Sequence, residues 1–514
     1  MFEPSFEQFL HDHKRFDTIP IVYQFYADTI TPIQIFYAFQ EDAVFMLESN
    51  DDESAWSNFS FIGINPIYSI FEQNQMFIMI DRHNHEWIKS KNLSSLFQQM
   101  ERHLNVKKPN LSIPFIGGAV GKIGYEAVSI FDKVPEHEHS QKEKTKCELI
   151  VCETIIAYDH HKKQISFIHY VSLTGHETLE QLNVIYQEAI SRLKNFEQTL
   201  FRDSTKLEKT FLPSEEASVS FVSVQSNYTK EQFEEAVERV KEYIRAGDIF
   251  QAVLSQRFEK EITVTAFDLY RVLRIINPSP YMFYMKLTNE ELIGSSPERL
   301  IHVQNNHLEI HPIAGTRRRG RTKEEDRLLG QNLLNDEKEL AEHYMLVDLA
   351  RNDIGRVAKY GSVQTPVFVQ LTYFSHVMHL ISKVTGRLKD DVHPIDALIS
   401  SFPAGTVSGA PKIRAMQIIH ELESSPRGSY AGCIAYIGFD GNIDSCITIR
   451  TISLKNNKAY VQAGAGIVAD SVPELEWKET RNKASALIKA IEIAERSFSV
   501  KEANTDARNI EKVY

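Results

Sequence analysis

Cysteine is scarce: four residues in 514 (Cys147, Cys152, Cys433, Cys446), none in a C-x-x-C pair. This excludes a disulfide scaffold and a thiolate zinc site, and predicts a reduced, cytoplasmic setting. Positive charge is in deficit, with 57 Lys and Arg against 69 Asp and Glu, a net of −12. A general nucleic-acid or anionic-membrane binder needs the opposite surplus. The start, Met1-Phe2-Glu3-Pro4, lacks the basic residues and apolar core of a signal peptide. One run without charged residues, Tyr360 to Ser382, contains Pro366, Gln364, Gln370, His376 and His379. Its alternation reads as strand, so no membrane span is expected. Repeats, low-complexity tracts, the G-x-S-x-G elbow, the H-E-x-x-H helix and the EF-hand loop are all missing.

The composition, 42% hydrophobic and 25% charged, is that of a globular protein. One domain per roughly 150 residues allows two to four domains. Polar stretches at Asp132–Lys146 and Arg202–Ser226 read as loop or linker. The second is the better boundary, which divides the chain into 1–201, a linker 202–226, a unit 227–495 and a tail 496–514. A helix start follows it, with Thr229 as N-cap and Gln232 at capping-box spacing. Phe233, Val237, Val240 and Ile244 then mark one face, and Gly247 ends the segment. Strands are expected at Ile33–Phe39, Ala43–Leu47, Met76–Ile80, Ile155–Tyr158, Ala252–Phe258 and Tyr281–Leu287. Helices are expected at Glu337–Ala350 and Thr480–Glu495. Strand runs joined by short turns predict an α+β fold, with large antiparallel sheets in a sandwich and helices outside.

Several constellations could carry chemistry. Glu339 and Glu342, and again Glu476 and Glu479, lie three residues apart in helical segments, so each pair shares a face. Two such helices facing each other could hold a hard divalent cation through oxygen; solvated helix faces carry the same spacing. Gly464-Ala465-Gly466 follows a strand, but Pro473 interrupts the helix that a dinucleotide fingerprint requires. Its glycines could still allow backbone N–H groups to approach an anion, or could simply make a tight turn. Thr406 to Lys412 has the Gly and Lys of a phosphate loop in the wrong order. Pro312–Arg321 (PIAGTRRRGR) is the most basic stretch, and an exposed loop is its plain reading. His379 sits in a strand-like segment, where a histidine is more often structural than catalytic.

Together these segments resemble the chorismate-utilising enzymes, and within them the large synthase component of anthranilate synthases. The blocks that carry the resemblance stand in the family's order: 248–257 (DIFQAVLSQR), 277–285 (NPSPYMFYM), 294–299 (GSSPER), 312–321, 336–353, 375–380 (SHVMHL), 402–412 (FPAGTVSGAPK), 427–450 and 463–483. They span about residues 227 to 490. The N-terminal part is similar through Leu47-Glu48-Ser49 and Gly117–Glu126 (GGAVGKIGYE), with Lys122 where the family pattern has an aromatic residue.

The resemblance implies conversion of chorismate and ammonia to anthranilate and pyruvate, the first step of tryptophan biosynthesis. It implies Mg2+ held by Glu342 and Glu479, with Glu339 and Glu476 in or beside the same shell. Glu298 matches the general acid for the departing ring hydroxyl, and His379 and Thr406 match catalytic residues of unassigned step. Gly315, Thr316, Tyr430, Arg450 and the Gly464-Ala465-Gly466 backbone match chorismate-binding positions. Gln251 stands where isochorismate and salicylate synthases have a water-activating Lys. Ala314 stands where one group of aminodeoxychorismate synthases has a nucleophilic Lys. Both differences favour anthranilate synthase; aminodeoxychorismate synthase and isochorismate synthase remain the alternatives. No cysteine lies in a Gly-x-Cys-x-Gly elbow, so a partner glutamine amidotransferase subunit is expected to supply ammonia. Ser49, Pro280, Tyr281 and Met282 match a site for tryptophan as feedback inhibitor.

Overall fold

Thr31 corrects one expectation: Ile33 to Phe39 forms no strand, and Pro32–Ala38 is a helix. The Thr31 hydroxyl accepts the Gln34 N–H (3.3 Å), while the Gln34 side chain accepts the Thr31 N–H (2.7 Å). With Pro32 in the first turn, that reciprocal cap favours a helical start, which a short apolar run cannot reveal by itself.

The computed structural model describes residues 2–50, 58–137, 146–203, 221, 223–374 and 377–498. The other expected elements are present to within one residue, in strands Ala43–Glu48, Met76–Asp81, Cys147–Asp159, Gln251–Glu261 and Tyr281–Lys286 and helices Glu337–Val357 and Pro473–Phe498. Thr229 and Gln232 make the expected capping box on Lys230–Arg245, and Gly247 follows that helix at φ +82°. The charge-free run forms a hairpin of Gln364–Tyr373 against Val377–Arg387. Ser375 and His376 of its block lie outside the described residues. Pro473 begins the last helix instead of breaking one.

The long ladders are antiparallel. Two of them join the parts on either side of residues 202–226. Ala43–Glu48 pairs with Tyr281–Lys286, placing Glu48 opposite Met282, and Gly118–Ile123 pairs with Cys433–Gly438. Phe45, Phe61, Phe115, Ile150, Phe283, Met285 and Tyr436 fill a core made largely of strand residues. Two further cores lie between sheet and helix. One packs Pro32–Ala38, Leu179–Asp203, Ala266–Ile276 and Pro473–Phe498, and the other packs Leu93–Leu104, Glu337–Val357 and Pro394–Ser401. This is the expected α+β sandwich with outer helices.

Strand alternation assigns faces. Phe283 and Met285 point into the strand core, whereas Met282 and Tyr284 point under the helices. Glu48 follows Met282: its carboxylate accepts from Tyr270 (2.6 Å) and Arg274 (3.0 Å) of the helix Ala266–Ile276.

Candidate active site

A cleft of about 1810 Å³ gathers residues from nearly every block of the second half, including Gln251, Glu298, Gly315, Thr316, Glu339, Glu342, His379, Thr406, Tyr430, Arg450, Gly464, Gly466, Glu479 and Lys483. Glu298 lies in the short connection between strands Glu291–Ser296 and Arg299–Gln304. Its backbone is anchored, because its carbonyl accepts the Ile447 N–H (3.0 Å). The side chain is half-buried beside the cleft, and desolvation pushes its pKa up to about 7. Two groups pull the other way: the Thr406 hydroxyl, which donates to Oε1 (2.8 Å), and the Lys483 ammonium. The carboxyl therefore keeps its proton well above the ordinary range, as an acid working near neutrality must.

Thr406 sits in the 3-10 turn Gly405–Val407, which leads into the two-residue strand Gly409–Ala410 paired with Gln251 and Ala252. Lys412, the would-be phosphate ligand of that stretch, is bound to both carboxylate oxygens of Asp353 (3.0 Å each). His379 lies on Val377–Arg387 opposite Thr316. A bulge carries Gly315 at φ +68° and turns its carbonyl onto the His379 ring, 2.8 Å from Nδ1. That bond selects the tautomer with the proton on Nδ1 and leaves Nε2 as the acceptor.

Gly464 and Gly466 lie in the strand Lys458–Ile467 and make no turn. Residues 458–461 of that strand have ladder partners on both sides, whereas 462–467 pair only with Gln251–Glu261 among the described residues. The absent side chains create the room. A Cβ on Gly464 would stand 2.8 Å from the Tyr430 hydroxyl, and one on Gly466 would stand 2.5 Å from the Gln251 amide nitrogen. Ala465 alternates away and buries its methyl with Phe233 and Val237, so only its peptide could serve a ligand. Burial pushes the Tyr430 phenol up to about 12 and lowers the Arg450 guanidinium. Arg450, at φ +50°, is fixed by a bond from its guanidinium to the Lys483 carbonyl (2.8 Å).

Each glutamate pair lies within one helix, as its spacing predicts. Glu339, Glu342 and Glu479 line the cleft, and Glu476 stands one turn behind Glu479. Desolvation, then the charges of Glu339 and Glu479, hold the Glu342 carboxyl above its ordinary value. Desolvation followed by Glu479 does the same for Glu476. Glu339 is paired with Arg317 (3.0 Å) and Glu479 with Lys483 (2.7 Å). No three metal-ligating side chains already close on one point among the described residues. An all-oxygen set of carboxylates that repel one another nonetheless suits a hard divalent cation.

Lys483 escaped the sequence reading. Its Nζ donates to the Gly464 carbonyl (3.0 Å), so one cation touches both Glu479 and the glycine strand. The signal was its position four residues after Glu479, on the same helical stripe. Three of the four arginines of 312–321 are paired with carboxylates: Arg317 with Asp336, Arg318 with Glu325 and Arg319 with Asp326.

The cleft continues toward Asn50, Pro278, Ser279, Pro280 and Tyr281. Asn50 donates its N–H to the Ser279 carbonyl (3.2 Å), which brings the Leu47–Ser49 segment against the proline turn. Ser49 is half-buried beside it. Met282 is 4% exposed and packs under the helices with Tyr284, turned away from Tyr281. Tyr281 donates to Asp444 (3.0 Å) and accepts from the Arg299 guanidinium (2.6 Å).

An antiparallel sandwich whose cleft combines an arginine, paired carboxylates and a carboxyl of raised pKa defines the class. The chain belongs to the chorismate binding enzymes, a family that matches residues 42–489. Among its relatives is anthranilate synthase component 1 of Bacillus subtilis (strain 168), 54% identical over 508 residues, covering 98% of each chain. The component 1 of Geobacillus stearothermophilus is 56% identical over 495 residues, covering 96% of this chain and 97% of that one. The crystal structure of anthranilate synthase component I from Streptococcus pneumoniae TIGR4 shares the fold at a TM-score of 0.68 with 37% identity. That match covers 85% of this chain and 94% of that one. The menaquinone-specific isochorismate synthase of Escherichia coli shares the fold alone, at 18% identity and a TM-score of 0.67, covering 95% of this chain and 99% of that one.

Proposed function

We propose that this chain catalyses the anthranilate synthase reaction, in which chorismate and ammonia yield anthranilate and pyruvate, as the first step of tryptophan biosynthesis. The observation that carries the reading is Glu298, a cleft carboxyl that retains its proton toward neutral pH and is oriented by Thr406. Hydroxide is a poor leaving group, so loss of the ring hydroxyl needs such an acid. Thr406 occupies Oε1, which leaves Oε2 as the oxygen that delivers the proton. Gln251, buried at the cleft, offers a neutral amide beside the incoming ammonia, which already has its lone pair. Ala314 has no nucleophile to offer. His379, with Nε2 as acceptor, is the base available when aromatisation removes a ring proton. Arg450, Tyr430 and the strand edge at Gly464 hold the enolpyruvyl carboxylate by charge and hydrogen bonds.

Glu342 and Glu479, with Glu339 and Glu476 beside them, are the residues that would hold magnesium. When bound, the ion would neutralise the ring carboxylate and the charge that develops as the hydroxyl departs. Ammonia would come from glutamine through a separate amidotransferase subunit. Burial pushes the thiols of Cys147, Cys152, Cys433 and Cys446 upward, so none supplies the thiolate that glutamine hydrolysis uses. A cytoplasmic location agrees with free thiols and with the lack of any helix, among the described residues, long and apolar enough to cross a membrane.

Tryptophan would inhibit from the Ser49–Pro280–Tyr281 end of the cleft, with Met282 backing that strand from its far face. The bond from Arg299 to Tyr281 gives this end a contact to the residue next to Glu298, and coupling between two ligands is reciprocal.

The deciding experiment is a product assay on the purified chain. Chorismate, magnesium and ammonium should give fluorescent anthranilate; a chelator should abolish it, and glutamine should not replace ammonium. Accumulation of 4-amino-4-deoxychorismate or isochorismate would overturn the assignment.

A further inference from the structure

Tyr430 ends a tight turn, Arg427–Tyr430, closed by its own N–H on the Arg427 carbonyl (3.2 Å). Gly428 has φ +63°, and Ala431, just past the turn, has φ +62°, a conformation that a residue with a Cβ adopts only when its surroundings impose it. Ala431 is held by its N–H on the Thr448 carbonyl (2.9 Å), whereas the Arg427–Gly428 end of the turn is held from the N-terminal part. Glu126, 3% exposed in the 3-10 turn Tyr125–Ala127, accepts the Arg427 N–H on Oε1 (2.7 Å) and the Gly428 N–H on Oε2 (2.9 Å). The next bond runs back, from the Tyr125 N–H to the Gly428 carbonyl (2.9 Å).

The turn so clamped carries a second fastening. The Arg427 guanidinium donates to the carbonyls of Val407 (2.7 Å) and Val253 (2.6 Å) and makes two bonds to Glu423 (2.7 and 2.8 Å). Val407 follows Thr406, and Val253 lies two residues along the strand from Gln251. One buried arginine therefore registers three cleft segments against one another, and its own backbone is held by Glu126.

We propose that Glu126, which does not itself line the cleft, is a positioning residue for the reaction, fixing Tyr430 through the Arg427–Gly428 turn. The inference rests on the reading of Tyr430 as a chorismate contact. A carboxylate suits the task because both oxygens accept. Glutamine has the same shape but turns an NH2 toward a peptide N–H, leaving a buried donor without an acceptor.

The test uses the full chain with ammonium and magnesium, measuring KM and kcat for chorismate in Glu126→Gln, Tyr430→Phe and the double variant, with a thermal melt of each. Loss of one buried hydrogen bond corresponds to about a tenfold effect. Glu126→Gln should raise KM for chorismate by about that factor, with kcat changed less. In the Tyr430→Phe background the same substitution should add under about twofold, because both act through one contact. An unchanged KM in Glu126→Gln overturns the proposal. So does an equal factor in both backgrounds, the mark of a purely structural residue. Glu126→Asp keeps two acceptors and should fall between wild type and Glu126→Gln; if neither variant folds, Glu126 is a folding residue and the proposal fails. Tyr430→Phe read alone separates the two claims, since an unchanged KM there refutes the Tyr430 contact itself.

Discussion

Thr406 donates its hydroxyl proton to Glu298 across 2.8 Å, a bond between residues 108 positions apart in the chain. The contact joins the only two cleft segments that an acid and its orienting donor need. Glu298→Gln keeps the size and the acceptor but carries no transferable proton. Turnover should fall by about a hundredfold or more while chorismate affinity stays within about tenfold. Steady-state kinetics with a binding titration checks this, and unchanged turnover would return the cleft to a role in binding alone.

The same bond has a signature in pH. The Thr406 hydroxyl stabilises the ionised form of Glu298 and so holds down a pKa that burial raises, leaving it at about 7. An acid works only while protonated, so kcat/KM for chorismate should decline as pH rises through that value. Thr406→Val removes the stabilising donor, raises the pKa further and should move the alkaline limb to higher pH. The profile must be taken at constant unprotonated ammonia, because the co-substrate titrates too. A limb that stays put or moves down would show that Glu298 is not the group it reports.

Two glycines should respond oppositely to the same added methyl. In Gly464→Ala the new Cβ meets the Tyr430 hydroxyl at 2.8 Å and Val253 at 2.9 Å, an overpacking of roughly 1–3 kcal/mol. KM for chorismate should rise by at least about tenfold, and the melting temperature should fall. Gly355, in the helix Glu337–Val357, would have nothing within 4 Å of its Cβ. Gly355→Ala should stabilise by roughly 0.4–1 kcal/mol and leave kinetics alone. Equal responses at both positions would mean that the strand at Gly464 has room to spare.

For the inhibitor, Ser49→Phe should fill the space beside the proline turn and relieve inhibition by tryptophan, with ammonia-dependent turnover nearly intact. Inhibition curves for wild type and variant decide it. If wild-type activity ignores millimolar tryptophan, the Ser49–Pro280–Tyr281 site is wrong and the catalytic reading is untouched.

Local chemistry made much of this molecule legible. The Thr229–Gln232 capping box involves neighbours three residues apart, and the spacing of Glu339 with Glu342 and Glu476 with Glu479 follows from the helical repeat. The order of the blocks was enough to name the family and its reaction. Local reasoning failed where two structures satisfy one pattern. Ile33–Phe39 is as apolar as a strand, and the Thr31–Gln34 cap, Pro32 and the packing of Ile35 and Phe36 in the core favour a helix. Tyr281 and Met282 match one ligand site, yet the alternation of their strand sends them to opposite faces. Beyond that, convergence belongs to tertiary structure alone. Desolvation of Glu298, the place of Lys483 between glutamate and glycine strand, and the grip of Glu126 on the turn before Tyr430 join residues far apart in sequence. Hydrogen bonds and Coulomb forces act over a few ångströms of space, and only the folded sheet decides which distant residues come that close.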